Sequence, residues 1–231
     1  MIFRLLLVLG AACCALPAAA LTIRPDREDA EYLELSSKYP AAIRLRGAGE
    51  GVLVAPRWIL TSASTVRKLR EAKVPALAVG SREFEVLEYF LHEGLGLVAL
   101  KKDVKDVPFT PLFRGANEEG QTVVLVGHGG DGRKRASINT IDVVSTQALG
   151  MRIKPLTEAS DLQGMLTPAE TGAPIFLQIG GDLTVAGIAS GTDGTRETYE
   201  RVSAFSLWIE ATMVEVGRKE AEALLGANRT E

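Results

Sequence analysis

Residues Gly49 to Thr65 read GEGVLVAPRWILTSAST. Two short apolar runs, Val52–Val54 and Trp58–Thr61, stand on either side of Pro56 and Arg57. Proline beside a polar residue between apolar runs marks a turn, so the stretch reads as short strands. Past Thr61 the character changes, and Thr65–Lys73 (TVRKLREAK) reads as a short amphipathic helix. The strand pattern recurs on both sides. Ala41–Leu45 precedes it, and Ala76–Val79, Phe84–Phe90, Leu95–Leu100, Thr122–Val126, Ile138–Val144, Met151–Ile153, Pro174–Ile179 and Leu183–Ser190 follow. Turn residues break these runs at roughly 8–15-residue spacing, which argues for an all-β sandwich or barrel over alternating βαβ units. A second helix is expected over Leu207–Leu225, with Gly226 as its C-cap.

Composition narrows the chemistry. The chain has 231 residues, 46% hydrophobic and 24% charged, with a net charge of −3. Those values fit a globular protein and supply no cationic field for nucleic acid. The two cysteines are adjacent, Cys13 and Cys14, and the two histidines are His92 and His128. A disulfide framework is thereby excluded, and no metal site or cofactor motif is expected. Gly127, Gly129, Gly130 and Gly132 follow no strand-to-helix phosphate pattern.

Residues 1–20, MIFRLLLVLGAACCALPAAA, carry an early arginine, a short apolar core and a small-residue end. This is the pattern of a secretory signal peptide cleaved before Leu21, which predicts export to the periplasm or the medium. Lipidation at Cys13 or Cys14 is the alternative. Gly10, three residues before Cys13, lacks the bulk such a site uses. Cleavage leaves no transmembrane segment and no cysteine. Residues 21–40 read as a charged N-terminal arm or short helix, and 41–231 as the folded domain.

Four blocks in order resemble the trypsin/chymotrypsin-like serine proteases. They are GEGVLVAPRWILTSAST, GLGLVAL (Gly94–Leu100), PAETGAPIF (Pro168–Phe176), and VAGIAS (Val185–Ser190) with YERVSAFSLWI (Tyr199–Ile209). The opening IRPDREDAEYLELSSKYPAAIRL is similar to the leader of a bacterial exported subgroup of that family. The resemblance implies two six-stranded antiparallel β-barrels and a C-terminal α-helix. Their boundary is expected near residues 105–115, where Pro108, Pro111 and Gly115 cluster.

Serine-protease chemistry needs a hydroxyl nucleophile, an imidazole base, a carboxylate to orient it and two amides for the oxyanion. The resemblance puts the base at Ser64, the carboxylate at Gly94 and the nucleophile at Thr171. Glu93 lies one residue before Gly94. All three triad positions are therefore substituted, and a serine hydroxyl cannot act as a base near neutral pH. The oxyanion-hole positions fall at Ala169 and Thr171, with Glu170 between them. A Cβ at Ala169 disfavours the backbone that aims its N–H inward. The pocket floor falls at Met165, which implies an apolar or closed pocket, and the wall at Ala189, Ser190 and Gly191.

His92 and His128 match no catalytic position and read as loop and turn residues. Arg67, Lys68, Arg70 and Lys73, and Arg133, Lys134 and Arg135, read as solvated faces or as docking points for an acidic partner. The expected function is a non-catalytic binding or regulatory module holding a protein or peptide between the barrels. A rewired serine/threonine-type peptidase and a structural envelope protein are the alternatives. Oligomeric state is not legible.

Overall fold

The computed structural model describes residues 22–227. The expected signal peptide lies outside them. The elements are β1 (Thr22–Ile23), α1 (Asp29–Ser36), β2 (Ala42–Leu45), β3 (Gly49–Ala55), β4 (Trp58–Ser62), α2 (Ala63–Glu71), β5 (Ala76–Val79), β6 (Arg82–His92) and β7 (Leu95–Leu100). The second half holds β8 (Thr122–Gly127), β9 (Arg135–Thr140), β10 (Val143–Val144), β11 (Ala148–Arg152), β12 (Gly164–Met165), β13 (Pro174–Ile179), β14 (Asp182–Thr192), β15 (Arg196–Arg201) and α3 (Val202–Ala227).

The architecture is two barrel-like antiparallel sheets with a C-terminal helix. The first has six strands in the order β2-β3-β4-β7-β6-β5, and the second seven in the order β10-β11-β15-β14-β13-β8-β9. The second sheet exceeds the expected six because the run Ile138–Val144 is split. At its bend the Ile141 amide turns to Gln121 O and the Asp142 amide to Gly150 O, so β9 and β10 pair with different strands. A further pair, β1 with β12, sets Thr22 opposite Met165.

The central strands need two covered faces. Every residue of β4 and β7 is buried, which explains their unbroken apolar runs. Two apolar clusters form the core, one centred on the second sheet and a larger one centred on the first that also takes in Val126, Phe176, Val185 and Ile188 of the second, and α3 joins the larger through Val202, Phe205, Ile209 and Val216. The helix begins five residues before the expected start at Leu207, and Gly226 lies inside it. Residues 101–121 carry the chain from one sheet to the other. Thr110 N donates to Leu53 O and Phe113 N to Val185 O, both at 2.9 Å, so this segment is tied to both sheets.

The arm is docked on the second sheet. Tyr32 is fully buried, donates its hydroxyl to Gln163 O at 3.0 Å and accepts from Arg24 N at 3.1 Å. Arg135, also buried, is ion-paired to Asp29 at 2.6 Å and to Asp131 at 2.8 Å, which fixes the first turn of α1 to β9.

Candidate functional site

The cleft between the sheets is assembled from the ends of short elements. Ser62 ends β4 and caps α2, its Oγ accepting from Thr65 N at 3.1 Å. An N-cap serine is strongly favoured because it satisfies an orphan amide of the first turn. Ser64 then sits in that turn, half-buried. Its Oγ is 2.9 Å from Ser62 Oγ, which is 2.9 Å from Thr65 Oγ1. Thr65 Oγ1 donates to Thr171 O at 3.3 Å. A chain of hydroxyls thus runs from Ser64, the expected base position, to the loop of Thr171, the expected nucleophile position.

Thr171 follows a 3-10 turn, Pro168–Glu170. Its Oγ1 donates to Pro168 O at 2.9 Å, within its own loop. Its carbonyl accepts from Glu50 N at 2.9 Å, which clamps the loop to β3. Gly172 has φ +92°, and a Cβ there would strike Glu50 O and Thr61 Oγ1. Only glycine allows so close an approach with that backbone. Ala169 lies inside the 3-10 turn and is not among the residues with left-handed backbone.

Gly94 sits between β6 and β7, and its carbonyl accepts from Ala63 N at 2.8 Å, beside Ser64. A Cβ on Gly94 would run into the carboxyl group of Glu200 from β15. That space is therefore filled by an acid from the other barrel. Partial burial raises the Glu200 pKa, and Glu93 nearby adds to the rise. Glu93 has a left-handed φ of 49° and accepts from Gln147 Nε2 at 2.7 Å.

Both imidazoles are engaged elsewhere. His92 stacks on Trp208 with ring centroids 4.9 Å apart and meets Phe205 edge-on at 5.8 Å. His128 Nδ1 is 2.7 Å from Glu50 Oε2, and its amide donates to Glu50 Oε1 at 3.3 Å. Glu50 is only 3% exposed, so this carboxylate–imidazole pair is an internal link between β3 and the loop after β8. Among the described residues, no imidazole is hydrogen-bonded to Ser64 or Thr171.

The pocket beside Thr171 is lined by Leu166, Thr167, Ala189, Gly191, Thr192 and Glu197, among others. Its volume is about 10 Å3, room for one water at most. Met165 does not line it. The β1–β12 pairing holds Met165 in the body, where Thr192 Oγ1 lies 3.4 Å from its sulfur. Ser190 does not line it either, since its hydroxyl donates to Thr198 O at 3.1 Å. The acid that reaches the pocket is Glu197, buried, with one carboxyl oxygen accepting from Leu166 N. Burial pushes its pKa up to about 8, so the carboxyl is held neutral in a closed pocket. Glu170, also buried, accepts from Gly129 N at 3.1 Å and Thr167 N at 2.7 Å, and burial raises its pKa.

Sequence reasoning missed Glu50, Glu197 and Glu200. Glu50 and Glu200 lie within the recognised blocks and Glu197 two residues before one of them, and an acid on a strand that lines the cleft was the available signal. Among the described residues, no group of three or more His, Cys, Asp or Glu could hold a metal ion. No described helix is long and apolar enough to cross a membrane.

Two barrel-like sheets, with a capped helix and a tight 3-10 loop meeting between them, define the serine-protease type of scaffold. A family model described as a trypsin-like peptidase domain matches residues 49–188, more than half of the chain. The chain belongs to that family. A solved structure of kallikrein-related peptidase 10 in complex with Zn2+ superposes with a TM-score of 0.60 at 19% identity, over 78% of this chain and 98% of that one. At that identity the likeness is one of fold. No curated protein matches the chain.

Proposed function

We propose that this chain is an exported member of the trypsin-like peptidase family that binds a protein or peptide partner without cleaving it. One observation carries the reading: the Thr171 hydroxyl donates to Pro168 O, with hydroxyls where a base would stand. A threonine hydroxyl attacks a carbonyl only when a base takes its proton. Loss of one triad member already removes most of the rate, and further losses add little more. The 3-10 turn at Ala169 and the closed pocket beside it support the same reading, since both oxyanion donor and side-chain site depart from what turnover needs. Export rests on residues 1–20, with residues 21–40 as the arm and 41–231 as the folded unit of the mature protein.

Purified protein lacking residues 1–20, incubated with casein, is the test. The reading expects no fragments above a buffer control. Fragments that disappear with Thr171→Ala would overturn it. One observation favours a rewired hydrolase instead: Glu50 and His128 have the carboxylate–imidazole pairing of a general base. Casein hydrolysis that is lost in His128→Ala would establish that second reading.

A further inference from the structure

A second recess opens beside Ala169, separate from the closed pocket. It measures about 190 Å3 and lies between Arg44, Leu45 and Gly47–Glu50 of the first barrel and Gly129–Gly130 of the second. Arg44 and Lys68 stand on its walls. Lys68 is one helical turn past Ser64 on α2, so both face the cleft side of that helix. Arg44 lies opposite Glu50 in the β2–β3 register, and its guanidinium reaches over to Gly132 of the second barrel.

These cations lack counterions. Among the described residues, neither Arg44 nor Lys68 has a carboxylate within ion-pair distance. Arg57, Arg82, Arg114 and Arg133 each have one. Lys68 Nζ makes only a 3.4 Å contact to Ala48 O. The acid in the lining, Glu50, has both oxygens taken by His128. Two unpaired cations around a concave surface concentrate positive potential there. Around Gly94 the cleft has the opposite character, with Glu93 and Glu200.

We propose that this recess receives an acidic side chain of a bound peptide, so that the partner carries Asp or Glu where its chain passes Ala169. This rests on the reading of the chain as a peptide-binding module. Arg44 and Lys68 are exposed, so changing them removes charge without opening the core.

The test uses two fluorescein-labelled, capped octapeptides of Ala and Ser that differ only in two central residues, Glu or Gln. Anisotropy titrations are expected to show the Glu peptide binding at least about tenfold more tightly at low salt, a difference that fades at high salt. Arg44→Gln with Lys68→Gln should erase the difference, whereas Arg70→Gln with Lys73→Gln, away from the recess, should leave it. Equal affinity for the two peptides overturns the recess assignment and leaves the binding-module reading standing. An equal loss in both double variants also overturns it, because the effect would then be one of general charge. Binding of neither peptide overturns it too. Casein hydrolysis by the same preparation is the separate outcome that overturns the parent reading.

Discussion

Glu200 lays its carboxyl group over Gly94, from a strand of one barrel to a turn of the other. At Gly94, where the resemblance leads one to expect the triad acid, another acid already fills the space a side chain would need. An aspartate at 94 would meet that carboxyl both sterically and by charge. Gly94→Asp is expected to cost about 1–3 kcal/mol, the usual range for overpacking. Adding Glu200→Ser should recover most of it. Urea denaturation of the two variants checks this, and an undiminished Gly94→Asp midpoint would show that Glu200 is not held there.

Building a triad at the three expected positions is therefore not a matter of three substitutions. Ser64→His, Gly94→Asp and Thr171→Ser together leave Glu200 over position 94 and Ala169 in its 3-10 turn. The triple variant is expected to show no casein hydrolysis above background. Release of fragments by it would mean that the oxyanion donors are already in place.

The pH dependence of stability should carry the mark of Glu197. Its folded pKa is raised to about 8 by burial, so the folded state holds the proton more tightly than the unfolded chain. Its contribution is full below the ordinary carboxylate pKa and is lost as pH rises towards and through about 8. Glu197→Gln cannot ionise, so its advantage over the natural chain should grow across that window by at least about 1.4 kcal/mol, the equivalent of one pKa unit. Parallel melting curves from pH 5 to pH 9 would contradict the assignment.

The docked arm makes a separate prediction. Tyr32 fills the second core and bridges Gln163 O and Arg24 N. Tyr32→Phe leaves a buried carbonyl without its donor and should cost about 1 kcal/mol, whereas Tyr32→Ala should cost about 3–5 kcal/mol through the cavity it opens. Equal losses in chemical denaturation would place the contribution in the hydroxyl and not in the packing.

The local structure around the expected site positions was legible and its long-range contacts were not. Ser64 and Thr171 sit inside contiguous blocks whose residue order marks a capped helix and a tight loop. Glu50 and His128 are 78 residues apart, and Glu197 lies 31 residues from the Leu166 amide it accepts from. Such meetings depend on how strands register across two sheets, which no local spacing reports. Met165 illustrates the limit. The resemblance implies a place for it on the pocket floor, but its pairing with Thr22 draws it into the body and leaves Glu197 to reach the pocket. The strand pattern itself read well because β3, β4 and β7 are buried as continuous runs between turns. The split at Ile141 was hidden because no Gly or Pro breaks the run between Ile138 and Val144.

The central claim is that the Thr171 hydroxyl is not a working nucleophile. A fluorophosphonate probe reports this directly, since it labels only a hydroxyl activated by a base. The chain without residues 1–20 is expected to take up no label after prolonged incubation, while an active trypsin-like enzyme in the same tube is labelled fully. Stoichiometric label on the natural chain, absent from Thr171→Ala, would contradict the account.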